Sequence, residues 1–321
     1  MISCWDVRRG TILNIEFYEQ LKHIISEEFI EIDEMLSNHT TFQIGGKADY
    51  FVKPSKGEQI VQIINLCKEY DIPFYVMGNG SNILVSDQGY KGLIIQILKN
   101  MSYIHFEESD HDNEGIVSAG AGVMLSDLAK EIANKSLTGF EFASGIPGTL
   151  GGAVTMNAGA YGGEIKNCIV NATVIDSFGN IRILSREELA YGYRRSVIQT
   201  KNYIVIEAMF QLKKGNKNDI LAYMEDLNNR RKEKQPLEYP SAGSTFKRPE
   251  GYFAGKLIMD SGLRGYRVGD IMVSEKHCGF VINVGNGTAK DVKQLISDVD
   301  SKVYEKFSVH LEPEIRFLGD F

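Results

Sequence analysis

The sequence predicts an α+β protein of two or three lobes. Short apolar segments that suit strands recur up to Leu212, divided by glycine turns and a few helical stripes. After Lys213-Lys214-Gly215-Asn216 the character changes to a long polar helix, then to a segment with an amphipathic helix of its own. With 321 residues and 43% hydrophobic content, the chain can bury more than one core.

In chain order, residues 1–14 show no periodicity and read as a loose extension. Leu21, Ile24, Ile25 and Phe29 mark one face of a first helix, a packing arm or lid. The polar segment Asn38-His39-Thr40-Thr41-Phe42 leads through Gly45-Gly46 to a strand at 50–52. A helix with Ile60, Ile63, Ile64 and Cys67 on one face and a strand at 74–76 complete a small αβ lobe. Strands at 92–97, 103–107 and 116–119 lead through a strand-to-helix turn, Gly120-Ala121-Gly122, to a helix marked by Leu125, Leu128 and Ile132. Segments 169–176 and 181–184 form a hairpin around Phe178-Gly179-Asn180, and a strand at 204–212 closes this β-rich lobe. The polar helix that follows ends in Arg230, Arg231, Lys232 and Lys234. The last helix is capped by Thr288 with Asp291 and striped by Val292, Leu295, Ile296, Val299, Val303 and Phe307; a strand at 314–318 ends the fold.

The stretch 144–163 packs seven glycines among Ile146, Leu150, Val154 and Met156. Glycine at that density is either a phosphate cradle or a very tight packing joint, because a missing Cβ allows positive φ and close backbone approach. The apolar residues argue against a flexible linker. A second knot, Met77-Gly78-Asn79-Gly80-Ser81-Asn82, lies between strands at 74–76 and 83–85. It is not a dinucleotide fingerprint, since its third glycine position is Ile83 and a strand follows. Gly120-Ala121-Gly122 also lacks a third glycine, and Gly251 to Lys256 is one residue too short for a P-loop. Any bound phosphates are therefore held by turns between strands.

A net charge of -7 argues against nucleic acid or membrane surfaces as the main partner and leaves a small anion that meets a local basic patch. Cys4, Cys67, Cys168 and Cys278 are scattered, with no C-x-x-C and no clustered His, so no metal site is expected. Arg8-Arg9 has no apolar run behind it, and no uninterrupted apolar stretch of about 18 residues occurs. A cytoplasmic protein with reduced thiols is the expectation.

Three polar constellations stand out. Tyr193-Arg194-Arg195-Ser196 follows a helix candidate and reads by default as a solvated face. Ser241-Ala242-Gly243-Ser244-Thr245-Phe246-Lys247-Arg248-Pro249 crowds small residues around a serine, although a plain turn explains it equally well. Ser244 and Lys247 form S-x-x-K, the mark of serine acylases, without the partner motifs S-D-N and K-T-G. Leu311-Glu312-Pro313-Glu314-Ile315-Arg316 places a carboxylate at the head of the last strand, by default facing solvent.

Taken in order, these pieces resemble one family, the flavin-dependent UDP-N-acetylenolpyruvoylglucosamine reductases of peptidoglycan precursor synthesis. The resemblance runs from about Asn38 to Gly319. It is carried by Asn38 to Phe42 with Gly45-Gly46, by Gly78 to Asn82, and by Gly145-Ile146-Pro147-Gly148-Thr149 through Asn157-Ala158-Gly159-Ala160-Tyr161-Gly162. Tyr193-Arg194-x-Ser196, Ala242-Gly243-Ser244-x-Phe246-Lys247 and Glu314-Ile315-Arg316 complete it. The resemblance implies a two-lobed FAD-binding domain of the vanillyl-alcohol oxidase-like (PCMH) type, plus a C-terminal α+β substrate-binding domain. The corresponding bounds are an N-terminal extension and helix at 1–37, an FAD-binding domain at 38–213 with lobes of about 38–100 and 101–213, and a substrate domain at 214–321, with a return of its last strand to the flavin site as one arrangement the resemblance allows.

The implied cofactor-binding residues are Gly78, Asn79, Gly80, Ser81 and Asn82, then Gly145, Ile146, Pro147 and Gly148, then Asn157, Ala158 and Gly159. The knots contain no His or Cys, so FAD is expected without a covalent tether, with NADPH as hydride donor. The implied reaction reduces an enolpyruvyl ether to a lactyl ether: UDP-N-acetylglucosamine enolpyruvate becomes UDP-N-acetylmuramate. Arg194 would receive the negative charge that develops beside the carboxylate, Glu314 would help polarise or orient the enolate-like species, and Ser244 would deliver the proton. Either Lys247 or Glu314 would reprotonate the serine. Gly152, Tyr161, Lys234, Arg248 and His277 match positions near the sugar nucleotide. One branch of the family has asparagine where Arg248 stands and a longer insertion bearing a tyrosine, so this chain resembles the shorter branch.

A monomer acting on a small molecule is expected. Three rivals remain: another FAD-dependent alcohol or sugar oxidase on the same scaffold, a non-catalytic sugar-nucleotide binder, and a serine acylase through Ser244 and Lys247.

Overall fold

The computed structural model describes residues 5–8, 11–108 and 113–321; Cys4 and Arg9 lie outside them. The chain begins β1 (Trp5–Arg8), β2 (Thr11–Asn14), α1 (Ile15–Ile24), β3 (Ile30–Met35), β4 (Lys47–Val52), α2 (Gly57–Glu69), β5 (Phe74–Met77) and β6 (Ile83–Val85). It continues β7 (Tyr90–Gln96), β8 (Ile104–Glu108), β9 (Glu114–Gly120), α3 (Leu125–Asn134), β10 (Leu137–Thr138), α4 (Leu150–Met156), β11 (Gly159–Ala160) and β12 (Gly163–Glu164). Next come β13 (Ile169–Ile175), β14 (Ile181–Ser185), α5 (Val197–Lys201), β15 (Ile204–Lys214), α6 (Lys217–Lys234) and β16 (Ser241–Ser244). The remaining elements are α7 (Ala254–Asp260), β17 (Arg267–Val268), β18 (Ile271–Val273), β19 (Phe280–Asn283), α8 (Ala289–Phe307) and β20 (Arg316–Leu318).

These elements divide into two compact units. The first comprises the described residues up to Glu31, with Tyr50–Asn79 and Gly92–Arg230; the second comprises Ile32–Asp49, Gly80–Lys91 and Arg231–Phe321. The chain passes between them within β3, β4, β7 and α6 and at Asn79-Gly80.

The first unit centres on a six-stranded sheet in the order β14-β13-β15-β9-β8, with β10 also on β15. The hairpin read around Phe178-Gly179-Asn180 is β13 and β14, antiparallel with Ala172 opposite Leu184. β15 buries Val205, Ala208, Phe210 and Leu212, with a register shift against β13 between Val205 and Glu207, and Phe210 packs edge-on to Phe140 with ring centroids 5.2 Å apart. α3 buries Leu125, Leu128, Ala129, Ile132 and Ala133, the stripe its spacing predicts. β5 and β7 run parallel, with Tyr75 opposite Ile94. Leu93, Ile94 and Ile95 are fully buried, the run of apolar residues expected where parallel strands are covered on both faces.

The second unit is built on the sheet β16-β19-β18-β17. α8 presses Val292, Leu295, Ile296, Val299 and Val303 into a core shared with Phe42, Ile44, Leu84, Phe246, Ile258, Ile271 and Val281. Its predicted capping box is formed: Thr288 Oγ1 accepts from Asp291 N, and the Asp291 carboxylate accepts from Thr288 N, both at 3.1 Å. Asp87 adds a second cap from far along the chain, accepting from Ala289 N at 2.8 Å and Lys290 N at 3.1 Å. β20 pairs in parallel with β6, Phe317 opposite Leu84.

Four local expectations change. Residues 5–8 and 11–14 form an antiparallel hairpin rather than a loose extension; strands of four residues are too short to show periodicity. Turns, not a helix, precede Arg194, and the helix α5 follows it. Residues 150–156 of the glycine stretch are helical, because Gly151 and Gly152 sit among Leu150, Ala153 and Val154, which bury that helix. The Ser244 segment is a strand rather than a turn.

Candidate active site

Packing explains the glycines of the Gly78–Asn82 knot. A Cβ on Gly78 would lie 2.1 Å from Thr149 Oγ1, and Asn79 Nδ2 donates to Pro147 O at 2.7 Å, so the two glycine loops are buttoned together within the first unit. In the second unit Gly80 has φ +62°, and a Cβ there would lie 2.1 Å from the His39 carbonyl oxygen. Among the described residues, the backbone N–H groups of Gly78 to Asn82 donate to no protein acceptor. Backbone N–H groups in a glycine turn of this kind are a donor set that fits the pyrophosphate of FAD.

A second cluster in the first unit surrounds the end of α4. Asn157 ends that helix in the left-handed conformation, φ 47°, and is fully buried. Its Oδ1 accepts from Lys166 N at 3.0 Å while Nδ2 donates to Glu164 Oε2 at 2.6 Å and Gly192 O at 3.1 Å. The side chain is thus engaged by the protein, so what this position offers a ligand is the turn that it holds. Arg194 also has a positive φ, 53°, which costs a non-glycine residue about 1–2 kcal/mol. Its guanidinium donates to Gly159 O at 3.2 Å and Asn157 O at 3.5 Å and lies 5.3 Å from the Tyr193 ring centroid.

Ser196, fully buried, donates to Thr155 O at 2.6 Å; Gln199 Nε2 donates to Thr155 O at 3.0 Å and Arg194 O at 3.3 Å. Gln199 went unread in the sequence because nothing local marks a glutamine whose partners lie in two other segments. Tyr161 and Gly162 make the turn joining β11 and β12, with φ 53° and 89°, the primed type that matches hairpin twist. A bulky residue in that conformation is an outlier, and Tyr161 is exposed. In α4, a Cβ on Gly152 would meet Thr149 Oγ1 at 3.7 Å.

In the second unit Ser244 ends β16, exposed, after Gly243 at φ +75°. The next residue is buried and heavily used: Thr245 N donates to Gly279 O at 2.9 Å, and its Oγ1 accepts from Val281 N at 3.0 Å. Thr245 O accepts from Glu314 N at 2.8 Å, Phe246 bridges to Pro313, and Lys247 N donates to Glu312 O at 2.8 Å. Asn82 Nδ2 donates to Glu314 O at 3.2 Å, and Arg316 N donates to Asn82 O at 2.9 Å. Three segments distant in sequence therefore bring Asn82, Ser244 and Glu314 together.

His277 Nδ1 accepts from Gly279 N at 3.1 Å, which leaves the ring proton on Nε2 as a donor. Packing around the ring lowers its pKa below the ordinary 6.5 by desolvating the charged form, although the residue keeps exposed surface. Lys234 is exposed at the end of α6, and Arg248 stacks over Phe253 at 4.0 Å with Nε donating to Tyr252 O at 3.2 Å.

Lys247 is ion-paired to Glu312, and Ser244 lies on a strand, so the serine-acylase arrangement is not formed. Cys67, Cys168 and Cys278 are free and buried, and burial pushes the first two thiols up to about 12. They stay protonated near neutrality, which removes them as nucleophiles. Among the described residues no helix is long and apolar enough to cross a membrane.

Residues 48–185 match the family model described as an FAD binding domain. Together with the backbone donors of the glycine knot, this makes the chain an FAD-dependent oxidoreductase. Residues 235–318 match a second model, described as the C-terminal domain of UDP-N-acetylenolpyruvoylglucosamine reductase. The reductase of that name from Lachnoclostridium phytofermentans is 58% identical over 309 residues, 96% of this chain and 99% of its own length. The one from Agathobacter rectalis is 54% identical, covering 90% of this chain and 94% of its own. A crystal structure of UDP-N-acetylenolpyruvylglucosamine reductase from Thermus caldophilus superposes with a TM-score of 0.76 at 34% identity, over 91% of this chain and all of that one. The chain belongs to the UDP-N-acetylenolpyruvoylglucosamine reductase family.

Proposed function

We propose that Arg194, Ser244 and Glu314 carry the reduction of UDP-N-acetylglucosamine enolpyruvate to UDP-N-acetylmuramate in this chain, with NADPH as donor. The observation that carries this reading is the backbone link that sets Glu314 against Thr245, directly after the exposed hydroxyl of Ser244. FAD, when bound, would supply the two-electron chemistry that links NADPH to the terminal methylene carbon of the substrate. Backbone N–H groups of Gly78, Asn79, Gly80, Ser81 and Asn82, with the loops at Gly145-Ile146-Pro147-Gly148 and Asn157-Ala158-Gly159, would hold it.

Arg194 offsets the negative charge that builds on the carbon beside the substrate carboxylate, where a fixed cation is worth most if water is excluded. Ser244 gives its hydroxyl proton to that carbon. A serine is an adequate acid only for a far more basic centre. Glu314 is assigned to restore the serine proton, a choice supported by the pairing of Lys247 with Glu312. Gly152, Tyr161, Lys234, Arg248 and His277 are assigned to the sugar nucleotide. His277 offers a neutral N–H, while Lys234 and Arg248 suit diphosphate and carboxylate. The reading further takes the protein as a cytoplasmic monomer.

An anaerobic absorbance experiment tests it. The flavin band should bleach with NADPH and return when the enolpyruvyl sugar nucleotide is added. A folded protein that takes up no FAD, or a bleached band that the substrate leaves unchanged, overturns the reading. If both reactants use one site in turn, double-reciprocal plots should be parallel; intersecting lines count against that ordering.

A further inference from the structure

We propose that Gln199 is a positioning residue for Arg194, locking the arginine backbone to the end of α4 so that the guanidinium and the Asn157–Gly159 turn move as one piece. The inference rests on the reading that Arg194 meets developing negative charge.

A carboxamide nitrogen carries two protons, and Gln199 Nε2 faces three acceptors: Thr155 O and Met156 Sδ, each at 3.0 Å, in the last turn of α4, and Arg194 O at 3.3 Å. Carbonyls only accept, so the nitrogen rather than the oxygen of Gln199 must face them. One partner is the Arg194 main chain itself, at a residue held at φ 53°. The other belongs to the last turn of α4, two residues before Asn157, whose own carbonyl accepts from the Arg194 guanidinium. Asn157 answers from the opposite side, donating to Gly192 O, two residues before Arg194. Ser196 also donates to Thr155 O, at 2.6 Å. Gln199 is a side chain that ties the arginine backbone to the turn; removing it frees φ and ψ at Arg194 without deleting the guanidinium.

The test is a double-mutant cycle on the FAD-loaded enzyme, with the two half-reactions followed separately by stopped flow. Gln199→Met keeps the length of the side chain and removes both donors. It should slow flavin reoxidation by the enolpyruvyl substrate by about 10- to 100-fold, the loss expected for a misplaced charged group, and leave flavin reduction by NADPH within about twofold. In an Arg194→Ala background the same change should add almost nothing, because the group it positions is gone. Full additivity, or equal slowing of both half-reactions, overturns the proposal. If Arg194→Ala by itself leaves reoxidation unchanged, the assignment of Arg194 fails instead, and the two failures are distinguishable.

A second variant guards against misfolding. In Gln199→Glu the neutral acid retains one donor and the carboxylate faces two carbonyls, so reoxidation relative to the parent should fall as pH rises through the carboxyl titration. A flat ratio overturns the proposal. The visible circular dichroism of bound flavin should match the parent at the acid end, independently of turnover.

Discussion

Thr245 accepts, on its carbonyl oxygen, the backbone N–H of Glu314 at 2.8 Å. That bond sets the carboxylate residue of one segment beside Ser244 on another, while Asn82 holds the Glu314 carbonyl from a third. The placement is made by main-chain and amide contacts, so side chains at 244 and 314 can be changed without dismantling it.

Replacing the Ser244 hydroxyl therefore gives a clean separation of steps. In Ser244→Ala, flavin reduction by NADPH should stay near the parent rate, and reoxidation by the enolpyruvyl sugar nucleotide should fall by at least about 100-fold, the low end for general-acid catalysis. Equal loss in both half-reactions, measured by stopped flow, would show that Ser244 serves folding or cofactor binding.

Two glycines with similar positive φ should differ sharply in what alanine costs. At Gly80 a Cβ meets backbone at 2.1 Å, whereas at Gly243 nothing lies within 4 Å of it. Gly80→Ala adds overpacking to strain and should lose more than about 2 kcal/mol, while Gly243→Ala should lose only about 1 kcal/mol from strain. Urea unfolding of both variants checks this, and a reversed order would contradict the packing account.

His277 ties stability to pH through its lowered pKa. Because the folded ring binds its proton less well than the ordinary 6.5, the unfolded state holds more protons between the two values. Its contribution is complete above 6.5 and declines as pH falls through that window. Unfolding free energies measured from about pH 7 down to about pH 5 should decline less steeply in His277→Asn than in the parent. Superimposable pH profiles would exclude this role.

FAD should be released whole on unfolding. Neither glycine loop contains His or Cys to tether it. Acid precipitation should leave all flavin absorbance in the supernatant; colour retained in the pellet would mean a covalent bond. Excess free FAD should raise the stability of the native chain, by about 2.7 kcal/mol at a hundred times its Kd.

The sequence by itself determined those elements whose pattern is local. The stripe of α8, its Thr288–Asp291 box and the hairpin around Gly179 were legible because each is set by contacts a few residues apart. Arg194, Ser244 and Glu314 were singled out because their residue types recur in an ordered set of motifs. The tertiary structure decided which distant groups meet. Gly80 must be glycine because the His39 carbonyl fills the space of its side chain, and Asp87 caps a helix that begins at Ala289. Gln199 reaches two carbonyls in separate segments, and Thr245 delivers Glu314 to Ser244. Such pairings depend on how strands and turns are brought side by side, which no local spacing of residues encodes.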